Sequence, residues 1–542
     1  MVTAELLPAR RFGPPRVKIF ERLGSPEAPG AISLISIAQF DIPHVFPNAA
    51  LAEAAAVRPA DAAGRADLRD LDLVTIDGND ARDFDDAVWA EPDPDPRNVG
   101  GWHLVVAIAD VAYYVAPGSA LDREARERGN SVYFPDRVVP MLPEALSNGL
   151  CSLKPKEDRA CLAAHLWIDR DGRKLRHTFE RAIMRSAARL TYDQAQTARD
   201  GDTKLAIATS RLDALYGAFA ALDRARAARG ALALDLTEFR VVLDTKGAPV
   251  AVEPRQRLDS HKLIEEFMIL ANVAAAEELE ARRRPSLYRV HDAPDPDRLD
   301  ALRLALADID IPGLGLAKGQ VIRPQLFNRV LATVAGRPEA AVVNDLVLRA
   351  QAQAVYSPQN IGHFGLALRR YAHFTSPIRR YADLLVHRAL LAESVPREEL
   401  DAIGNHVSAT ERRAAAAERA AVERYRARLL GDHIGKVFAA RVNGVQRFGL
   451  FLTLPDTGAD GLLPIGNLPS DFYRFDQRRA RLSGRHSRRS FGLGDPLSVR
   501  LVEADPIGGR LVFRLEEAVG ERPRVSATRR RKRPARQLGR RG

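Results

Sequence analysis

The sequence predicts an α+β multidomain protein that ends in a small C-terminal β-barrel. Its 542 residues suffice for roughly three to four domains. Before residue 396, short apolar runs typical of buried strands, such as Trp102 to Ala109, alternate with helical patterns such as His261 to Glu280. After Gly435, five short strand-like segments follow one another, which is typical of a barrel of the OB type.

Changes in composition divide the chain into five predicted regions. Residues 1–70 are irregular and rich in Pro, Gly and Ala. We expect the main α+β domain over residues 71–395, a helical connection over 396–433 and the barrel over 434–518. Residues 519–542 are strongly basic and contain few apolar side chains, so we expect a disordered tail there.

Two helix starts are predicted from local signals. Ser408 and Glu411 form a capping-box pattern that opens a long helix rich in Ala, Arg and Glu. Pro377, with Thr375 or Ser376 as its cap, predicts a second helix N-terminus. Such an end can receive a phosphate group, because its backbone N–H groups are free to donate.

The excess of positive charge lies in the tail. The formal net charge is +11, but residues 522–542 alone hold ten Lys and Arg and no acid. The tail is therefore interpreted either as a flexible arm that binds a polyanion such as RNA or as a solvated segment that aids solubility. The rest of the chain has a net charge near zero, so its function has to be read from particular residues.

Cysteine content and hydropathy point to a reduced, cytoplasmic compartment. Cys151 and Cys161 are the only cysteines, and two thiols at this spacing form neither a disulfide framework nor a zinc motif. No apolar run reaches the roughly 18 residues needed to cross a bilayer. The first residues lack the charged-then-apolar pattern of a signal peptide. We expect no membrane partner.

The densest chemical signal is a group of aspartates between residues 77 and 86. Its members are Asp77, Asp80, Asp83, Asp85 and Asp86. Carboxylates packed this closely repel one another unless a cation neutralises them. Their hard oxygen ligands suit Mg²⁺ or Mn²⁺, and two such ions could support hydrolysis of a phosphodiester.

Other interpretations of these residues were weighed. An EF-hand loop starting at Asp77 would need Gly at its sixth position and Glu at its twelfth, where Arg82 and Val88 stand, so that interpretation fails. A solvated Asp-rich turn stays open on spacing alone. For Arg379 and Arg380, beside the predicted helix start, a phosphate site and a basic surface helix also remain alternatives.

Several separate segments together resemble one protein family, and this resemblance decides among these alternatives. Thr75–Val88 and His363–Arg388 resemble the two diagnostic segments of the RNB exoribonuclease family. The likeness covers roughly residues 40–517 and includes further segments in the same order: Arg128–Pro135, Val139–Leu153, Lys262–Glu266 and Tyr473–Asp476. It implies an RNB catalytic domain, built as a mixed sheet surrounded by helices, followed by an S1-type RNA-binding barrel. It also makes the idle-turn interpretation of the aspartates untenable.

The resemblance assigns roles to individual residues. Four aspartates match the metal set of the family, Asp85 being the one most directly tied to cleavage: Asp77, Asp83, Asp85 and Asp86. Asp83 is also a catalytic candidate, and Asp80 has no metal role in this pattern. Arg379 matches the arginine that holds the scissile phosphate, and Arg380 is a second candidate.

The same resemblance implies a set of RNA-binding aromatics. Tyr133 matches the residue that stacks on the 3′-terminal base, and Phe239 is expected to be a second platform. In the barrel, the candidates that face RNA are Phe448, Phe451, Phe472 and Tyr473. Packing of some of these aromatics in the barrel core is the alternative.

The implied activity is processive 3′→5′ hydrolysis of RNA to nucleoside 5′-monophosphates with Mg²⁺ or Mn²⁺. The expected substrates are single-stranded RNA and RNA with a 3′ overhang, with structured RNA as a further target, and the expected state is a monomer. An RNA-binding protein on an inactive RNB scaffold and a DNA-specific nuclease are the competing hypotheses. Relatives usually carry two cold-shock OB-folds before the catalytic domain, so residues 1–70 are interpreted as a truncated remnant of the second one.

Overall fold

The structure is a computed structural model that describes residues 1–7, 16–26, 28, 30–201, 209–312, 316, 319–393, 396–477, 479–487 and 489–516. The disordered tail predicted over 519–542 lies outside these residues. No helix in the described part of the chain combines the length and apolar character needed to cross a membrane.

The first elements are an antiparallel hairpin and two short helices: β1 (Val2–Leu6), β2 (Val17–Arg22), α1 (Ala31–Gln39) and α2 (Asn48–Ala56). Ile32 and Ile37 of α1 are buried in one cluster with Tyr425, far along the chain. Every residue of the two strands is exposed except Thr3, which is half-buried. The interpretation of this region as part of a cold-shock fold stays a prediction.

A seven-stranded mixed sheet forms the centre of the main domain. The elements of this part are β3 (Ala66–Leu68), β4 (Val74–Asp77), β5 (Asp86–Pro92), β6 (Trp102–Ala109), α3 (Val111–Tyr114), α4 (Ala120–Arg128), β7 (Val132–Tyr133), β8 (Val138–Val139), a π-helix (Ala145–Leu150), β9 (Asp158–Ile168), β10 (Lys174–Arg185) and β11 (Ala188–Thr191). The strand order is β11-β4-β5-β6-β9-β10-β3. The outer pairs β11–β4 and β10–β3 are parallel and the inner pairs are antiparallel, which confirms the predicted mixed sheet.

Helices, one small hairpin and one further antiparallel pair of short strands continue the domain. They are α5 (Tyr192–Arg199), α6 (Thr209–Arg229), β12 (Glu238–Leu243), β13 (Pro249–Arg255), α7 (Asp259–Ala281), β14 (Tyr288–Val290), α8 (Pro296–Asp308), α9 (Pro324–Val334), α10 (Ala340–Ala350), β15 (Val355–Ser357), α11 (Tyr381–Leu390) and α12 (Arg397–Gly431). Alternate residues of the central strands point to opposite faces. Leu104, with helices α6 and α7, belongs to one core, while Val105 belongs to another core with α4 and part of α12.

The C-terminal part is a closed five-stranded barrel, as predicted. Its elements are β16 (Val437–Gln446), β17 (Gly449–Leu454), β18 (Ala459–Pro464), a 3-10 turn (Ile465–Asn467), β19 (Tyr473–Asp476), β20 (Arg481–Gly484), β21 (Ser490–Phe491), β22 (Pro496–Asp505) and β23 (Arg510–Leu515). The barrel order is β16-β17-β18-β23-β22, and β19, β20 and β21 form a separate small sheet inserted between β18 and β22. Gly461 packs against the ring of Phe513, and a Cβ there would lie only 2.4 Å from that ring.

Both predicted helix starts are wrong. Helix α12 begins at Arg397, so Ser408 lies inside it. Its hydroxyl donates to the Gly404 carbonyl at 2.7 Å and accepts from the Tyr356 N–H at 2.9 Å. A hydroxyl that can cap a helix can also bond to the carbonyl four residues earlier, and the sequence pattern does not separate the two uses. Helix α11 begins at Tyr381, so Pro377 precedes it in a turn.

Candidate active site

The aspartate group lies where two neighbouring strands meet. Strand β4 ends at Asp77 and β5 begins at Asp86, and the two strands pair in antiparallel fashion through Val74 and Val88. Residues 78–85 form the connection between them, so the aspartates lie together at one end of this strand pair. Asp80 is exposed on this connection, whereas Asp85 is buried.

Asp85 joins the two distant motifs. One of its carboxylate oxygens, Oδ1, accepts a hydrogen bond from the backbone N–H of Ile378 at 2.9 Å. The other, Oδ2, lies 3.6 Å from Nε of Arg379. The residue that the resemblance ties to cleavage and the arginine expected to hold the phosphate are therefore in direct contact, although 293 positions separate Asp85 from Ile378.

Burial and mutual repulsion disfavour negative charge on these carboxylates. Burial, and next the Asp86 carboxylate, raise the pKa of Asp77 to about 8. Burial raises the pKa of Asp86 to about 6 and that of Asp85 well above its ordinary value, although Arg379 opposes both shifts. Each of the three carboxylates also has a buried Oδ2 without a hydrogen-bond partner.

These features fit a hard divalent cation. A buried carboxylate oxygen without a partner is costly, and a cation would both satisfy it and restore the ionised form. Among the described residues, no three His, Cys, Asp or Glu side chains already stand in a ligand arrangement, so the carboxylates would have to draw together to bind an ion. The four-aspartate ligand set stays a prediction.

We expect Mg²⁺ to stabilise the protein more at pH 8 than at pH 6. The pKa of Asp77, about 8, and that of Asp86, about 6, lie above their ordinary value of 3.8. Stability from these protonated groups is complete below pH 3.8 and is lost as the pH rises through 6 and 8, whereas a metal binds the deprotonated carboxylates. Thermal denaturation with and without Mg²⁺ measures this. Equal increases in Tm at the two pH values would contradict it.

Tyr133 lies beside the aspartates. Its hydroxyl donates to Oδ2 of Asp83 at 3.0 Å, and its backbone N–H donates to Oε1 of Glu418 on α12 at 2.7 Å. The ring remains 39% exposed, so a flat ligand can reach it. A cavity of about 260 Å³ adjoins it and is lined by Tyr133, Tyr356, Arg379, Arg380, Glu411 and Glu418, among others.

The two neighbouring arginines have different environments. The side chain of Arg379 is 45% exposed, and its Nη2 donates to the Ser376 hydroxyl at 3.1 Å. Arg380 instead forms a two-point pair with Asp383, in which Nε and Nη2 donate to the carboxylate at 2.9 and 2.7 Å. Asp383 is fully buried and also accepts from the Ser376 N–H at 2.8 Å. Arg379 therefore retains donors for a phosphate, while Arg380 holds the turn before α11 in place.

The structure places Phe239 where the main domain meets the barrel. It is half-buried on β12, and the guanidinium of Arg426 lies 5.7 Å from its ring centroid. A Cβ at Gly458 in the barrel would lie 2.5 Å from the ring, which shows how closely the two parts approach here. A role for Phe239 as a second base platform stays a prediction.

The aromatic candidates of the barrel differ in exposure. Phe448 is 54%, Phe451 39% and Phe472 78% exposed, and the rings of Phe448 and Phe451 meet edge to face at 5.9 Å. Tyr473 is half-buried, and its hydroxyl donates to the Pro469 carbonyl at 3.0 Å. The three phenylalanines present open rings, whereas Tyr473 packs partly against the barrel core.

Tyr192 is a site residue that the sequence argument missed. It opens α5 directly after β11, where Thr191 and Gln194 form a reciprocal capping box. Its ring stacks on His261 at 4.0 Å, and burial, followed by the charges of Asp86 and Asp77, raises the pKa of its hydroxyl. The Thr-x-x-Gln pattern after a strand was a signal for this helix start, but the parallel pairing of β11 with β4 was needed to bring Tyr192 near the aspartates.

Comparison with known proteins identifies the family. The RNB domain matches residues 65–393, which is more than half of the chain. The chain belongs to the RNB family. Ribonuclease R of Escherichia coli K12 is 43% identical over 509 residues, which cover 89% of this chain and 62% of the relative. This RNB chain therefore spans about three fifths of the length of that relative.

Solved structures agree with this assignment. Mycoplasma genitalium RNase R in complex with ribose methylated single-stranded RNA matches with a TM-score of 0.88 at 29% identity, covering 93% of this chain and 80% of that one. The same protein in complex with double-stranded RNA matches with a TM-score of 0.83 at 27% identity, covering 95% and 88%. Yeast Ssd1, a pseudonuclease, matches with a TM-score of 0.68 at 18% identity over 88% of this chain and 61% of that one, a likeness of fold alone.

Proposed function

We propose that this RNB protein is a processive, Mg²⁺-dependent 3′→5′ exoribonuclease that releases nucleoside 5′-monophosphates. The observation that carries the proposal is the contact of Asp85 with both the Ile378 N–H and the Arg379 guanidinium. This contact supports the proposal because it joins the expected cleavage residue, which lies in a group of buried carboxylates, to the arginine expected to bind the phosphate. Mn²⁺ is the alternative ion with the same ligand preference.

Different residues bind the metal ion and orient the scissile phosphate. When bound, Mg²⁺ supplies an activated water and stabilises the leaving oxygen of the phosphodiester. Four carboxylates would hold the ion: Asp77, Asp83, Asp85 and Asp86. The exposed guanidinium of Arg379 orients the scissile phosphate by forked hydrogen bonds.

The proposed direction of attack rests on the family resemblance, in which Tyr133 matches the aromatic that stacks on the 3′-terminal base. Its open ring stacks on a terminal base without regard to sequence, because every base has a π-face. Its hydroxyl lies 3.0 Å from Oδ2 of Asp83, so a base on this ring would lie beside the carboxylates. With the 3′-terminal base on Tyr133, hydrolysis of the last phosphodiester between its 3′ oxygen and phosphorus would release a nucleoside 5′-monophosphate.

RNA is the proposed substrate. The RNase R structures that this chain resembles contain single-stranded or double-stranded RNA. For this chain we propose single-stranded RNA or a 3′ overhang, with structured RNA entering from such an overhang. The exposed phenylalanines Phe448, Phe451 and Phe472 offer an outer surface on which unpaired bases can stack.

Two other functions share parts of this structure. An RNA-binding protein on an inactive scaffold is disfavoured because all four aspartates, Arg379 and Tyr133 are present. A DNA-specific nuclease is disfavoured by the family. Incubation of matched single-stranded RNA and DNA with Mg²⁺ or EDTA separates the three. Metal-dependent loss of RNA alone supports the proposal, whereas loss of DNA alone, or binding without loss of either strand, would refute it.

Tyr133→Ala is expected to weaken the binding of RNA 3′ ends by about 1–3 kcal/mol, the range measured for one base stacked on an aromatic ring. The effect arises from the lost ring, so it should persist in EDTA, where no hydrolysis occurs. Fluorescence anisotropy with a short labelled RNA measures it. Tyr113, a half-exposed tyrosine that packs edge to face on Tyr114, provides the control variant Tyr113→Ala. An affinity equal to that of the wild type would exclude Tyr133 as the clamp.

A further inference from the structure

A hydrogen bond joins the proposed base clamp to the proposed metal ligands. The Tyr133 hydroxyl donates to Oδ2 of Asp83 at 3.0 Å, across 50 positions of sequence. Asp83 is half-buried on the loop between β4 and β5, next to Asp85 and Asp86. The same tyrosine would therefore touch the terminal base through its ring and a metal ligand through its oxygen.

The position of Tyr133 is fixed from two directions. Its backbone N–H donates to Oε1 of Glu418 at 2.7 Å, which ties strand β7 to helix α12. Strand β7 also pairs with β8, where Tyr133 stands opposite Val138. Because the backbone is held in this way, the hydroxyl can act as a fixed donor.

A fixed donor of this kind influences how a carboxylate binds metal. Ligating carboxylates are generally oriented by hydrogen bonds to one of their oxygens, and loss of the donor typically lowers metal affinity or activity about 10- to 100-fold. A donor that orients Asp83 matters more in this site, because no three possible metal ligands among the described residues yet stand in a ligand arrangement. Orientation of Asp83 therefore removes part of the cost of drawing them together.

We propose that the Tyr133 hydroxyl is a positioning group for the metal site, which orients Asp83 for a divalent cation and couples metal binding to capture of the 3′-terminal base. This inference rests on the proposed function. Coupling between two ligands is reciprocal, so a base on Tyr133 changes the metal affinity by the same factor by which bound metal changes the base affinity.

The alternative is that the bond only satisfies the tyrosine hydroxyl. Tyr133→Phe separates the two accounts, because it keeps the ring and removes only the oxygen. Tyr113→Phe is the matched control, since it removes a hydroxyl from a half-exposed tyrosine of another region. Tyr133→Ala removes ring and hydroxyl together, so comparison with Tyr133→Phe isolates the contribution of stacking.

The test measures Mn²⁺ binding to the whole protein in the absence of RNA. The concentration of free ion is determined from its electron paramagnetic resonance signal. We expect Tyr133→Phe to raise the Kd for Mn²⁺ about 10- to 100-fold, while Tyr113→Phe leaves it as in the wild type. The Mg²⁺ concentration that gives half-maximal RNA degradation should rise in parallel, and excess Mg²⁺ should restore kcat.

An unchanged Kd for Mn²⁺ in Tyr133→Phe would overturn the proposal. So would a fall in kcat that excess Mg²⁺ does not restore, because it would place the hydroxyl in the chemistry itself. Both outcomes leave the proposed function standing as long as the wild-type protein degrades RNA with Mg²⁺. If the wild-type protein binds Mn²⁺ and does not degrade RNA, the proposed function fails, while the metal-binding comparison still decides the role of the hydroxyl.

Discussion

Asp85→Asn is expected to reduce kcat by at least about 100-fold, the scale of losing one charge-stabilising group at a transition state, and to leave RNA binding nearly intact. The substitution keeps the size of the side chain, and its amide oxygen can still accept the hydrogen bond from the Ile378 N–H. It removes the negative charge that faces Arg379 and that a divalent cation would need. The measurements are single-turnover degradation of a labelled RNA and RNA affinity in EDTA.

The same loop supplies the control for this prediction. Asp80→Asn changes an exposed aspartate that has no expected metal role. We expect it to degrade RNA at the wild-type rate. If Asp85→Asn retained normal activity, or if Asp80→Asn were equally damaging, the assignment of the aspartates would be wrong, because the effect would then follow the charge of the loop rather than the position of one carboxylate.

Arg379→Ala should lower activity, whereas Arg380→Ala should lower stability. Arg379 is half-exposed, so its loss should lower kcat by about 100-fold or more through the lost phosphate contact, with little change in stability. Arg380 is paired at two points with the fully buried Asp383. Its removal leaves a buried carboxylate without its partner, which costs about 3–5 kcal/mol of folding free energy.

Denaturant unfolding and RNA degradation, measured on the same samples, distinguish the two arginines. For Arg379→Ala we expect a wild-type unfolding midpoint and a large loss of kcat. For Arg380→Ala we expect a lower midpoint. Arg380→Lys should recover only part of it, because an ammonium group cannot reproduce the two parallel hydrogen bonds to Asp383. A stable but inactive Arg380→Ala protein would show that this arginine contacts the substrate.

The aspartate group and the segment around Arg379 could be identified because each is a local pattern. Spacing alone left a solvated turn and a basic surface helix open, and the family resemblance linked the two segments. The resemblance also implied the mixed sheet, whereas the short strands after Gly435 predicted the barrel. The contact between Asp85 and Arg379 agrees with the role inferred from separate segments.

Features that depend on packing were not predictable from local patterns. Capping signals at Ser408 and Pro377 suggested helix starts, but Ser408 lies inside α12 and the turn before α11 is set by Asp383. The link from Tyr133 to Asp83 depends on how β7 lies across the site, and nothing in either segment encodes it. Tyr192 lies close enough to feel the charges of Asp77 and Asp86 because β11, which precedes it, pairs with β4.

The most direct test of the central claim is the product pattern from an RNA duplex with a 3′ overhang, labelled at either end in separate reactions. With Mg²⁺, the account predicts that the 3′ label appears at once in nucleoside 5′-monophosphate, while the 5′-labelled strand shortens from its 3′ end; EDTA should stop both. Internal cuts, release of the 5′ label as a mononucleotide before the strand shortens, or the same products in EDTA would contradict it.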